Sequence, residues 1–464
     1  MAIEDLSNNA AREEMREPLV RAVKAADGDG SGHGSAKGDQ WMVYLSTFVA
    51  VCGSYEFGCG VGYSSPTQSG IMKDLGLSLA EYSMFGSILT FGAMIGAITI
   101  GPITDFLGRK GALRMSCVFC VAGWLAIYFS KVPVFVAEIA PKNLRGRLTA
   151  VNQLMIVSGV SVSFIIGVVV HWRALALIVL TCAMIAGIVP CAVIIFGLFF
   201  IPESPRWLAK TGRRKEFELA LQKLRGKDAD ISDEAAEIQE YIATLDRLPQ
   251  SNLLDLFQRR YLRSVIIAVG LMVCQQLGGI NGVCFYVSDI FEQAGFSPDI
   301  GTITYAILQV VVTGLGAAVM DKAGRKPLIL ASASGLILGC VLVAISFFLK
   351  VHELARDAAP IFAVAGILIF IGSFSIGMGA VPWVIMSEIF PINIKGQAGS
   401  LTTLVNWVGA WLCSYTFNFL MSWNSYGTFI LYAVVNVLAV LFVIAVVPET
   451  KGKTLEQIQG EINN

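Results

Sequence analysis

The apolar residues of this chain come in long runs divided by short polar or charged stretches. Eleven such runs can be drawn, over 41–61, 81–104, 111–130, 148–170, 174–201, 263–287, 301–320, 327–349, 360–386, 397–420 and 426–447. Each has about the 20 residues that a helix needs to cross a hydrocarbon layer of ~30 Å. The pattern predicts an all-α polytopic membrane protein. Five runs lie in 41–201 and six in 263–448, either side of a polar linker at 202–262. The stretch 1–40 is polar and rich in Gly, Ser and Asp, which predicts a disordered tail and no cleavable signal; 449–464 reads as a second tail. Within the linker, 213–224 and 233–245 have the spacing of short amphipathic helices lying at the membrane surface.

Composition agrees: 55% of the 464 residues are hydrophobic and 15% charged. The formal net charge of zero says little, because the charges are unevenly placed. The segment 202–263 carries 12 Lys/Arg and 11 Asp/Glu, or 23 of the chain's 68 charges in 62 residues, and so belongs in water. The ten cysteines fall in or beside apolar runs, where they read as small core residues. Three histidines, none beside a Cys or acid cluster, give no metal site, and no phosphate loop of the G-x-x-x-x-G-K-[ST] type occurs. No cofactor, metal or nucleic-acid partner is expected, and no catalytic constellation suggests an enzyme.

Three motifs occur once in each half and in the same order. Asp105 and Arg109 with Gly-Arg-Lys at 108–110 answer Asp321 and Arg325 with Gly-Arg-Lys at 324–326. Glu138-Ile-Ala-Pro-Lys-Asn-Leu-Arg145-Gly answers Glu388-Ile-Phe-Pro-Ile-Asn-Ile-Lys395-Gly, and Pro202-Glu203-Ser answers Pro448-Glu449-Thr. Three matches in register point to an internal duplication. The turns between runs are rich in Lys and Arg on one side and poor on the other; 288–300 holds Asp289, Glu292 and Asp299 and no base. The positive-inside rule puts the linker and both termini in the cytosol.

Together with Pro202-Glu-Ser-Pro-Arg206-Trp-Leu, Gln275-Gln-Leu-Gly-Gly-Ile-Asn281 and Val381-Pro-Trp383, these motifs resemble the sugar porters of the major facilitator superfamily. Within that family, the context of Glu203 to Lys210 and Ser54 to Gly58 is most similar to the plant early-responsive-to-dehydration group of monosaccharide transporters. The resemblance implies two pseudo-symmetric helical halves, a hexose such as glucose as substrate, proton coupling and a single copy in the lipid. It also implies the vacuolar membrane in preference to the plasma membrane.

A hexose needs neutral donors and acceptors and an apolar ring face. Gln275, Gln276 and Asn281 supply such groups beside the Gly278-Gly279 break, amid apolar residues where polar groups are costly unless they face a cavity. The resemblance adds Gln153, Gln309, Trp383 and Asn406 to the sugar site. Gln309 stands where the family keeps an Asn, and Ser375 where facilitative relatives keep an acid. It also marks Asp105, Arg109, Glu138, Arg145, Glu203, Arg206, Asp321, Arg325, Glu388, Lys395 and Glu449 as cytosolic gating residues, pairing across helix ends when that side is closed. Glu56 is the acid well inside the first run and so the candidate for proton coupling. It sits one turn before Gly60, which takes the place of the acid in proton-coupled relatives.

One stretch departs from the family's twelve spans. Between Arg114 and Arg145 lie 30 residues. Both ends should be cytosolic, and going out and back takes two helices, ~40 residues plus a turn. Most of the fourth helix is therefore expected to be missing, leaving a shortened or broken helix near 132–141. A form so cut is expected to be impaired. A non-transporting sugar receptor is the alternative from another class, though such a protein usually carries a long cytosolic extension.

Overall fold

The computed structural model describes residues 41–122, 145–169 and 197–462, apart from 227–228, 248–255, 356, 392–393, 454–456 and 459–460. Among the described residues every long element is a helix. In the first half they are α1 (Trp41–Leu75), α2 (Leu79–Ala122) and α3 (Arg145–Val169), and in the linker α4 (Pro205–Lys210), α5 (Arg214–Arg225) and α6 (Ser232–Arg247). The second half holds α7 (Arg259–Leu277), α8 (Ile280–Ala294), α9 (Pro298–Ala323), α10 (Arg325–Val351), α11 (Ala359–Ile376), α12 (Val381–Ile389), α13 (Lys395–Trp423) and α14 (Ser425–Val446).

Six described stretches are long and apolar enough to cross a membrane: 79–100, 261–294, 298–316, 325–351, 359–389 and 425–446. α1 and α13 have the length, with 35 and 29 residues, but polar side chains facing the interior dilute them. Thr402, Asn406, Ser414 and Asn418 of α13 are all buried. Most of the expected run 174–201, and the expected short helix near 132–141, lie outside the described residues.

Two boundaries differ from the sequence pattern. α1 continues past 61 to Leu75, because its polar stretch is buried and not a loop. Ser64, Ser65, Thr67 and Gln68 are all buried, and the Tyr82 hydroxyl donates to the Ser64 carbonyl at 2.6 Å. Likewise 288–294, expected as part of an acidic loop, is the end of α8, with Asp289 accepting a hydrogen bond from Gln293 at 2.7 Å.

Close approach explains the packing of α1 on α3. A Cβ on Gly58 would overlap the Ile156 carbonyl, and one on Gly159 would overlap that of Tyr55. Small residues let the two backbones meet, which is the usual source of attraction between helices where no water drives them together. In the linker, Ser204 caps α4 and Pro205 opens it. Trp207 and Leu208 then pack with Phe217, Leu221 and Ile238 of the two short amphipathic helices.

Among the described residues, the most extensive contacts between the halves are those of α1 with α8, α2 with α13, and α3 with α9. Their described contacts gather toward the face opposite the Gly-Arg-Lys turns. The apolar core shared by both halves takes Ile71, Tyr82, Val160 and Phe164 from the first half. These lie at the end of α1, the start of α2 and the far part of α3. Hydrogen bonds follow the same distribution. The Ser65 and Ser288 hydroxyls meet at 3.0 Å and Ser288 reaches Thr302 at 2.9 Å. Asn418 Nδ2 donates to Ser83 Oγ at 3.0 Å, and Ser161 Oγ to the Ala306 carbonyl at 3.0 Å. The described contacts thus close the face opposite the basic turns.

Replacing Asn418 by Leu should leave the buried Ser83 hydroxyl short of a donor and lower stability by about 1–3 kcal/mol. Adding Ser83→Ala should recover part of that loss, since removing both partners is nearly neutral. Thermal unfolding of the two single variants and the double in detergent measures the coupling; additive losses would show that the pair contributes nothing.

Candidate functional site

Two helix breaks meet in the second half. The first, Gly278-Gly279, separates α7 from α8, with Gly279 at φ 96°. The second, 377–380, separates α11 from α12. Each exposes backbone groups inside an apolar surround, where each must find a partner. Asn436 Nδ2 donates to the Gly278 carbonyl at 3.2 Å. Gln275 Nε2 donates to the carbonyls of Met378 and Gly379, the latter at 3.1 Å, while Ser332 Oγ accepts from the Met378 N–H at 2.9 Å.

A chain of neutral amides grows from this point. Gln276 Nε2 donates to Asn406 Oδ1 at 2.6 Å and to Gln275 Oε1 at 3.4 Å. Asn281 Nδ2 donates to Gln276 Oε1. Gln275, Gln276 and Asn406 are buried, and Asn281 is half-buried. Both hydrogens of the Gln275 amide are engaged by backbone carbonyls, a structural duty that its sequence context does not reveal. Asn281, at the start of α8, is the most open member of the chain.

The other expected sugar residues lie on three further helices. Trp383 is half-buried on α12 and Gln153 half-buried on α3. Gln309 is buried on α9 with Oε1 unpaired. Sequence reasoning missed Trp407, whose ring meets Phe57 of α1 edge-on at 6.0 Å, beside Asn406 and across the two halves. Its position next to an interior Asn in an apolar run was the available signal. Glu56 lies within α1, but its side chain is outside the described ones, as are those of Arg145 and Asp321. Glu138 is outside the described residues altogether.

The duplicated turns repeat one geometry. Gly108 at φ 76° splits α2, and Gly324 at φ 90° parts α9 from α10; both conformations are ones that side chains rarely adopt. Beyond each glycine a helix begins, and its free N–H groups point at a carboxylate from far along the chain. Glu203 accepts from the Lys110 N–H at 3.1 Å. Glu449 accepts from the N–H groups of Arg325 and Lys326, both at 3.0 Å. The expected partners of these acids were side-chain cations. The structure aims them at helix N-termini, where donors and dipole together favour an anion. The lysines reach carbonyls: Lys110 Nζ that of Ile201 at 2.8 Å, Lys326 Nζ that of Ile444 at 3.0 Å.

The remaining charged residues of these motifs fall around the caps. Arg325 pairs with Glu388 at 2.9 Å, and Glu388 also accepts from the Thr450 hydroxyl at 2.6 Å. Lys395, expected beside Glu388 and Glu449, donates to the Ser387 carbonyl at 2.7 Å. Asp105 lies 3.2 Å from Lys210 and 3.6 Å from Arg109, and its carbonyl accepts from Trp207 Nε1 at 3.0 Å. Arg206 is half-buried on α4.

A family model described as "Sugar (and other) transporter" matches residues 42–132 and 130–461. The chain belongs to the sugar (and other) transporter family. The transporter is 63% identical to Sugar transporter ERD6-like 7 of Arabidopsis thaliana, over 98% of this chain and 99% of that protein. It is 54% identical to ERD6-like 8 of the same plant, over 97% of each. Its fold matches the major facilitator proton:xylose symporter XylE bound to 6-bromo-6-deoxy-D-glucose, with a TM-score of 0.74, 24% identity, and 90% and 98% of the two chains covered. The inward open conformation of XylE from E. coli matches with a TM-score of 0.70 and 25% identity, over 90% and 99%.

The transporter therefore has the major facilitator fold, and the family pattern is interrupted at 130–132, where the span arithmetic puts the loss of a helix. The alignment with ERD6-like 7 runs over 475 positions, more than the 464 residues present, so parts of that relative face no residue of this transporter.

The two caps differ electrostatically. Burial pushes the Glu203 carboxyl above its usual range, against the N–H groups of Ser204 and Lys110. Burial also acts on Glu449, but there the N–H groups of Lys451, Arg325, Lys326 and Thr450 outweigh it and hold the carboxyl below that range. Stability contributed by Glu449 is present above the usual carboxylate value and lost as pH falls through its lowered one. For Glu203 the sense is reversed: its contribution is greatest at low pH and declines as pH rises to its raised value. Glu449→Gln should cost about 1–2 kcal/mol near neutral pH and less in acid. Glu203→Gln should cost less near neutral pH. Unfolding midpoints between about pH 4 and 8 test this; identical profiles for both variants would contradict it.

Proposed function

We propose that this protein is a secondary transporter that moves a monosaccharide, a hexose such as glucose, by alternating access with proton coupling. The observation that carries the proposal is the chain of neutral amides at the α7–α8 break. Gln275, Gln276, Asn281 and Asn406 offer donors and acceptors without charge, in an apolar surround, next to the Phe57–Trp407 contact between the halves. Such a site suits a polyhydroxylated neutral solute and repels an ion. Trp383 supplies an aromatic face, and Gln153 and Gln309 the walls from α3 and α9. The names of the relatives, sugar transporters and a proton:xylose symporter, support the same solute class and coupling.

In this reading Glu56 carries the proton. The capped turns with Asp105, Arg109, Arg206, Arg325, Glu388 and Lys395 keep each half rigid at the cytosolic side while the halves rock. The basic face and both tails are cytosolic, the protein acts as a single copy, and its membrane is the vacuolar one. Interruption of the family pattern at 130–132 supports the further reading that transport is impaired, because the first half lacks part of its wall.

Uptake of labelled hexoses into proteoliposomes, with and without a pH gradient, tests the whole proposal. Gln276→Ala and Asn406→Ala should each weaken hexose binding by about 1–3 kcal/mol; unchanged binding in both places the site elsewhere. Glu56→Gln should abolish the response to the gradient, and a full response would remove Glu56 from the coupling. A version with ~25 apolar residues, including an Arg, restored after Lys131 should take up sugar much faster; equal uptake refutes the impairment.

A further inference from the structure

Threonines inside helices normally satisfy their hydroxyl on the carbonyl one turn back. That remedy is used throughout this protein. Thr104 donates to Ile100 at 2.9 Å, Thr304 to Ile300 at 2.8 Å, Thr402 to Ala398 at 2.7 Å and Thr428 to Asn424 at 2.9 Å. Thr47 of α1 and Thr313 of α9 depart from it, each with a buried hydroxyl that has no partner. Thr313 has company. One turn earlier on α9, Gln309 keeps Oε1 buried and unpaired. Both side chains are more than nine-tenths buried, at 7% and 8% exposure. A helical threonine that leaves its nearest acceptor unused, beside an amide oxygen with no donor, is poised for a group that comes from elsewhere.

The register of α3 against α9 shows from where. The helices run antiparallel, with Ser161 Oγ on the Ala306 carbonyl at 3.0 Å and the Phe164 ring 5.6 Å from that of Tyr305. Thr313 follows Ala306 by seven residues, two turns, and so shares its side of α9, about 10 Å nearer the basic face. Gln153 precedes Ser161 by eight residues and lies about 12 Å in the same direction. The two residues therefore stand at one depth, on helices from opposite halves. Gln153 is half-buried and makes no hydrogen bond among the described residues.

We propose that Thr313 is a further residue of the sugar site, one that sets which sugar is preferred. Its hydroxyl and Gln309 Oε1 form an α9 wall facing Gln153, and a sugar hydroxyl fills it. That hydroxyl donates to Gln309 Oε1, which can only accept, and is bonded by the Thr313 hydroxyl. This inference rests on the monosaccharide reading above.

Binding, not uptake, is the measurement to make, because it does not require an intact transport cycle. The full chain, its Thr313→Val and its Thr313→Ser variants are titrated with D-glucose and each monodeoxy glucose by ligand-induced thermal stabilisation. Thr313→Val keeps the shape and removes the hydroxyl. Expected are about tenfold weaker glucose binding in Thr313→Val, near-parent binding in Thr313→Ser, and an unfolding midpoint without sugar that is no lower than the parent's. One monodeoxy glucose should bind Thr313→Val and the parent alike, because it lacks the hydroxyl that Thr313 meets. Equal glucose binding by Thr313→Val and the parent overturns the inference. So does a uniform loss across all analogues accompanied by a lower midpoint without sugar, which marks a packing role. A parent that binds none of these sugars overturns the monosaccharide reading and this inference with it.

Discussion

Unpaired backbone groups cannot be tolerated in hydrocarbon, and this constraint organises the structure. Every break in a spanning helix frees N–H and carbonyl groups, and each described break is met by a specific side chain. Gln275 and Ser332 serve the α11–α12 break, Asn436 the α7–α8 break, and Glu203 and Glu449 the helices that begin after Gly108 and Gly324. The interior polar residues of the protein are therefore of two kinds. Some complete the backbone, and others keep capacity to spare. Gln309 and Thr313, each with a buried oxygen that has no partner, belong to the second group.

Much of this was legible in the sequence because hydrophobic run length and breaker residues are local signals. The Gly278-Gly279 break, the duplicated Gly-Arg-Lys turns and the two linker helices all lie where the pattern put them. What escaped was set by distant partners. The polar stretch Ser64 to Gln68 looks like the end of a span, yet it continues the helix with Ser64, Ser65, Thr67 and Gln68 buried, and its serines meet Ser288 and Tyr82 of other helices. Glu203 and Glu449 look like partners for nearby cations, while their carboxylates reach the N-termini of helices that start 93 and 124 residues earlier. Gln275 looks like a solute ligand, and only the placement of the second break shows how its amide hydrogens are used.

The duplication is exact in design but unequal in environment. Both caps use one glutamate on one helix start, but burial dominates for Glu203 and the surrounding N–H donors dominate for Glu449. The first half is also the one in which the family pattern is interrupted.

The contacts that close the face opposite the basic turns have one further consequence. Ser65 with Ser288 and Thr302, Asn418 with Ser83, and Ser161 with the Ala306 carbonyl all join uncharged groups. Dissolved ions do not screen such bonds as they screen ion pairs, and no proton is taken up or lost near neutrality when they form. These contacts therefore weaken little as the salt concentration of the medium rises.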